Sequence, residues 1–93
     1  MKSSGRWRIE IKRQAEKTLN SLPAKLKRGV IRAIDSLAEE PRPRQCERLK
    51  GYDNLYRIPV GNWRISYAVE DEKLLVLVLE IAARGSAYRY IRR

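Results

Sequence analysis

Between Leu55 and Val69 the chain reads LYRIPVGNWRISYAV, two alternating segments that meet at Gly61-Asn62. Alternation of apolar and polar residues is the pattern of a half-buried strand, and a two-residue connection of this composition is a hairpin turn. The chain is thereby committed to an antiparallel sheet. Period two assigns the faces. Trp63, Ile65, Tyr67 and Val69 share one side with Tyr56, Ile58 and Val60, while Leu55, Arg57, Pro59, Arg64, Ser66 and Ala68 fall on the other. Pro59 has no N–H for a ladder, so its strand is expected at an edge or at a bulge.

The flanking sequence supplies the rest. RWRIEIK, from Arg6 to Lys12, alternates as a first strand, with Trp7, Ile9 and Ile11 on one side. From Arg13 the period changes: Ala15, Leu19 and Leu22 mark a short helix that ends near Pro23, with Ser21 as the expected N-cap of the next. Leu26, Val30, Ile34 and Leu37 form the stripe of a second helix, widened by Ile31 and Ala38. Its outer face carries Lys25, Lys27, Arg28 and Arg32, an ordinary wet surface unless the partner is RNA. EEPRPRQCE, from Glu39 to Glu47, has no period and reads as a linker. The rest reads as a meander in which RLKG begins a strand that NLYRIPV continues or restarts. KLLVLVLEIAA is its last and most buried strand. The order is β-α-α-β-β-β. It predicts an α+β fold, an antiparallel sheet with an αα-hairpin packed on one face and the other face open. Neither side of the linker holds a core of its own, so residues 1–93 read as one domain, and a chain of 93 residues buries about 60–65% of its unfolded surface.

Function is bounded by charge and by what is missing. The formal net charge is +10, spread along the chain, which favours an anionic partner such as nucleic acid or an acidic protein. There is one cysteine, Cys46, and no histidine. That excludes an internal disulfide and a credible zinc site, and it fits a reducing cytoplasm with no metal or other cofactor. No apolar run approaches the roughly 20 residues of a membrane span. Arg57 and Arg64 share the open face near the hairpin turn, where like charges repel and an anion between them would relieve the conflict.

LKGYDNLYRIPVGNWRISYAVEDEKLLVLVLEIAARGSAYR, with the β-α-α order before it, resembles the RelE/ParE superfamily of toxins from bacterial and archaeal toxin–antitoxin systems. The resemblance implies a RelE-like fold and a small, metal-independent ribonuclease that cleaves mRNA on the ribosome, through attack of the RNA 2′-hydroxyl on the adjacent phosphate. By position, Arg57 and Arg64 would orient the mRNA phosphates, Arg84 would stabilise developing charge, and Tyr88 would stack on a base or transfer a proton. Lys50 is a further substrate-binding residue and stands behind Tyr88 as a candidate base. The sequence departs from the family pattern at Pro59 and Ala83, where relatives carry basic residues or a histidine. Implied partners are a cognate acidic antitoxin, joined in a hetero-oligomer, together with ribosome and message. Two other readings stay open: a ParE-type inhibitor of DNA gyrase, and a homologue that only binds its antitoxin.

Overall fold

The computed structural model describes residues 6–84. Along the chain lie β1 (Arg8–Ile11), α1 (Arg13–Ser21), α2 (Ala24–Ser36), β2 (Glu47–Arg48), β3 (Leu55–Val60), β4 (Trp63–Glu70) and β5 (Leu75–Ala83), with a 3-10 turn at Asp71–Lys73. The strands form a five-stranded sheet in the order β1-β5-β4-β3-β2. The α+β architecture follows the sequence reading, with a two-residue strand at Glu47–Arg48 set apart from the strand Leu55–Val60. The sheet is antiparallel from β2 to β5, but β1 joins β5 in parallel, Ile9 opposite Val76 and Ile11 opposite Val78. Strands joined through a helical hairpin and a meander carry no turn constraint on their direction, which alternation alone leaves undetermined.

The helical stripes meet one face of the sheet. Ala15, Leu19 and Leu22 from the first helix and Val30, Ile34 and Leu37 from the second join Ile58, Ile65, Tyr67, Val69, Val76, Val78 and Ile81 in one buried cluster. The αα-hairpin turns at Leu22-Pro23. Ser21 does not cap α2: it closes the last turn of α1, where its Oγ donates to the Thr18 carbonyl at 2.8 Å, and Pro23 takes the N-cap position. No helix among the described residues is long and apolar enough to cross a membrane.

The hairpin between β3 and β4 turns as its composition dictates. Gly61 has φ 62° while Asn62 is not in the positive region, the sign pattern of a type II′ turn. Val60 and Trp63 close it, so the next pair, Pro59 and Arg64, falls at a non-hydrogen-bonded site of the ladder. On its other side β2 reaches only Arg57. Pro59 therefore sits where neither neighbour needs its missing N–H, although β3 is flanked on both sides at Tyr56 and Arg57.

β5 carries a bulge that sequence periodicity conceals. Tyr67 pairs with Val78 but Ser66 with Glu80, so Leu79 is the extra residue. The parity of β5 changes there: Val76 and Val78 face the helices before it, Ile81 after it. Glu80 and Ala82 are thereby delivered to the face that carries Arg64 and Ser66. That face is not open in its middle: Ser66 is 1%, Ala68 5% and Glu80 7% exposed. Small side chains on β4 lie below the taller Leu55, Arg57 and Leu77 of their neighbours, leaving the rim to solvent.

Candidate active site on the sheet face

Three arginines gather at the turn end of the sheet. Arg57 on β3 pairs across to Ser66, and Arg64 sits two residues further along β4 toward the turn, so the two are diagonal neighbours, about 7–8 Å apart at the backbone. Arg64 in turn pairs with Ala82, and Arg84 lies two residues past Ala82, its N–H donating to the Asn62 carbonyl at 2.7 Å. Arg57, Arg64 and Arg84 thus form a diagonal row across the three central strands. The expected closeness of Arg57 and Arg64 is present, and Arg84 extends it.

Their surroundings differ. Arg57 has a counter-ion that the sequence reading missed: Glu47, opposite it on β2, accepts from Nε at 3.1 Å and from Nη2 at 2.6 Å. The mutual repulsion of Arg57 and Arg64 is therefore relieved at one end by a carboxylate of the chain itself. Arg64 folds toward the turn, with Nη1 donating to the carbonyls of Trp63 at 3.0 Å and Gly61 at 3.3 Å. Neutral acceptors leave its charge uncancelled. Arg84 is exposed. Below the row, Ser66 is buried and its Oγ has no hydrogen-bond partner among the described residues. A hydroxyl left so is about 1–3 kcal/mol worse than a satisfied one. Buried Glu80 stands opposite it.

Lys50 is not brought to this row. It lies in the exposed β2–β3 connection, beyond the Leu55 end of β3, whereas Arg64 pairs with Pro59 near the other end, roughly 14 Å along the strand. Tyr88 lies outside the described residues. Ser66 was within reach of the alternation, which puts it on the arginine face. Glu47 sits in the aperiodic linker, and the face of Glu80 depends on the bulge, so neither left a signal.

The sequence description of the ParE toxin of the type II toxin–antitoxin system parDE matches residues 9–88 of this chain. The chain belongs to the RelE/ParE superfamily. A RelE/ParE fold is also what the solved structures share with it. A chain of the archaeal RelE–RelB complex from Pyrococcus horikoshii superposes with a TM-score of 0.78 at 32% identity, covering 88% of this chain and 99% of that one. The isolated RelE toxin of E. coli matches in fold with a TM-score of 0.76 at 22% identity, over 91% of this chain and 92% of that one. A Methanocaldococcus jannaschii protein bearing the name toxin RelE1 is 29% identical over 87 residues, 90% of this chain and 97% of its own length.

Proposed function

We propose that this RelE/ParE member is a toxin that cleaves mRNA on the ribosome and is neutralised by an acidic antitoxin encoded with it. The observation that carries the reading is the diagonal row of Arg57, Arg64 and Arg84 on one sheet face. Attack of a 2′-hydroxyl on its neighbouring phosphate gathers negative charge on the phosphoryl oxygens, and fixed guanidinium groups stabilise that charge without a metal. Arg64 and Arg84 act on the scissile phosphate. Arg57, half neutralised by Glu47, orients the phosphate next to it. Guanidinium is always protonated and so supplies no base; proton transfer falls to Tyr88, as the family resemblance implies. The solved RelE–RelB complex from Pyrococcus horikoshii supports an antitoxin partner, and a hetero-oligomer in the cytoplasm is the assembly this reading expects.

The test is a cell-free translation reaction with the purified protein, message ends being mapped by primer extension. New ends in phase with codons are expected, absent without ribosomes and reduced about 100-fold or more by Arg84→Ala or Arg64→Ala. Full activity of both folded variants would remove the row from the site. The ParE description that fits residues 9–88 favours a second reading, inhibition of DNA gyrase with no chemistry of its own. Blocked supercoiling beside an intact message would establish that one instead.

A further inference from the structure

α1 begins at Arg13 directly after Lys12 and carries Lys17 one turn later. A cleft of about 740 Å³ runs along it, lined among the described residues by Lys12, Arg13, Gln14, Lys17 and Thr18. Arg13 with Lys17 and Gln14 with Thr18 are i,i+4 pairs, so cations and neutral polar groups form two adjacent stripes. A second cavity, about 250 Å³, shares Gln14 and Thr18 and continues to Trp63 and to Glu80, Ile81, Ala82 and Ala83. It follows the part of β5 beyond Val78, where the β1 ladder has ended. Ala82, part of this lining, pairs with Arg64 and shares its face. One path therefore leads from the arginine row, round the edge of β5, to the cations of α1.

The ion-paired cations lie elsewhere, and the carboxylate that lines the path among the described residues is the buried Glu80. Arg8, Arg42, Arg48, Arg57 and Lys73 each have a carboxylate within ion-pair distance. Lys12, Arg13 and Lys17 have none among the described residues, and Glu16, the acid of α1, does not line the cleft. Among the described residues the α1 cleft is lined by three cations, an amide and a hydroxyl, and its continuity with the arginine row favours a nucleic-acid strand over an acidic amphipathic protein segment. A phosphodiester strand needs just those groups, with an aromatic ring such as Trp63 beside the path for a base.

We propose that this path holds the continuation of the RNA strand whose scissile phosphate lies on the arginine row, with Lys12, Arg13 and Lys17 binding phosphates of flanking nucleotides. The proposal rests on the ribonuclease reading for the position of the strand, but its test is separate. Two fluorescent single strands, 3 and 12 nucleotides long and 2′-O-methylated against cleavage, are titrated by anisotropy between 50 and 200 mM salt. The proteins are the parent, the triple variant Lys12→Gln/Arg13→Gln/Lys17→Gln, and Arg64→Ala.

The parent binds the longer strand more tightly, and the triple variant loses that preference while holding the short strand as the parent does. Three fewer phosphate contacts lower the salt slope by roughly 2, so the fall in affinity across that salt range is about 20-fold smaller than for the parent. If the triple variant melts early, Lys17→Gln alone, at an exposed helix position, gives about a third of the change in slope. Equal affinity and slope for parent and folded variant overturn the proposal, as does failure of the parent to bind the 12-mer at 50 mM salt. So does a variant that loses an acidic antitoxin but keeps its RNA, which would give the cleft to the protein partner. Should Arg64→Ala bind both strands normally while the triple variant does not, the α1 site stands and the arginine-row reading falls.

Discussion

Tyr67 is fully buried at the centre of β4, and its hydroxyl donates to the Pro41 carbonyl at 2.7 Å. Its ring stacks on Tyr56 at a centroid distance of 6.0 Å, and the Tyr56 hydroxyl accepts from Arg42 Nε at 3.0 Å. Arg42 also donates to Asp71 at 2.6 Å, past the end of β4. A linker with no regular structure is thus held to the sheet through two phenols and one guanidinium. Burial, and then the neighbouring Cys46 thiol, push the Tyr67 phenol above the ordinary tyrosine value. The folded protein keeps this proton at a pH where the unfolded chain has lost it, so the contribution of Tyr67 is whole below about pH 10 and declines above it. Tyr67→Phe should lower stability at pH 7 by about 1–3 kcal/mol, since the Pro41 carbonyl loses its donor. It should also lessen the alkaline loss, by up to about 1.4 kcal/mol per pH unit above pH 10. Urea unfolding of parent and variant at pH 7, 9 and 11 measures both. A gap that fails to narrow with pH would contradict the assignment.

At the level of elements, the β3–β4 hairpin turn has two duties. It reverses the chain, and its carbonyls hold the site: Gly61 accepts from Arg64 and Asn62 from the Arg84 amide. A Cβ on Gly61 would meet nothing within 4 Å, so the objection to any other residue there is the backbone conformation at φ 62°. Gly61→Ala should therefore cost about 1–2 kcal/mol, read from the thermal midpoint. On the ribonuclease reading proposed above it should also lower cleavage more than Asn54→Ala, a change outside the turn. A variant with unchanged stability would mean that the turn tolerates a side chain by changing type.

This hairpin was legible because its strands alternate about a two-residue turn, and α1 and α2 because Leu19, Val30 and Ile34 keep helical spacing. The rest had physical reasons to stay hidden. β2 is two residues long, too short to show a period, so the Glu47 partner of Arg57 could not be anticipated. The apolar run of β5 offers no alternation in which Leu79 would stand out as a bulge. The arginine row was legible for Arg57 and Arg64 through parity, and for Arg84 through the family resemblance.

For the whole molecule, the excess of positive charge competes with the fold. The formal net charge of the sequence is +10, and the fold is small, with a radius of gyration of 12.2 Å. At 0.01 M salt the screening length is about 30 Å and every cation repels every other; at 0.3 M only near neighbours interact. The ion pairs resist this weakly. Arg8–Glu10 and Arg48–Asp53 are well exposed on both sides and Lys73–Glu70 on the lysine side, and such surface pairs contribute about 0–1 kcal/mol each. Repulsion should dominate, so the thermal midpoint should rise with sodium chloride from 0.01 to 0.3 M by several degrees, about 4–8 °C for each kcal/mol relieved. A midpoint that falls with salt would mean that the ion pairs outweigh the excess charge. A bound polyanion adds to the same effect, because it supplies counter-charge where the fold has none. The 12-nucleotide strand should therefore raise the midpoint most at 0.01 M salt. It should raise it less in Lys12→Gln/Arg13→Gln/Lys17→Gln, whose own midpoint at that salt should be higher than the parent's, since removing these cations lowers the self-repulsion that RNA would otherwise offset.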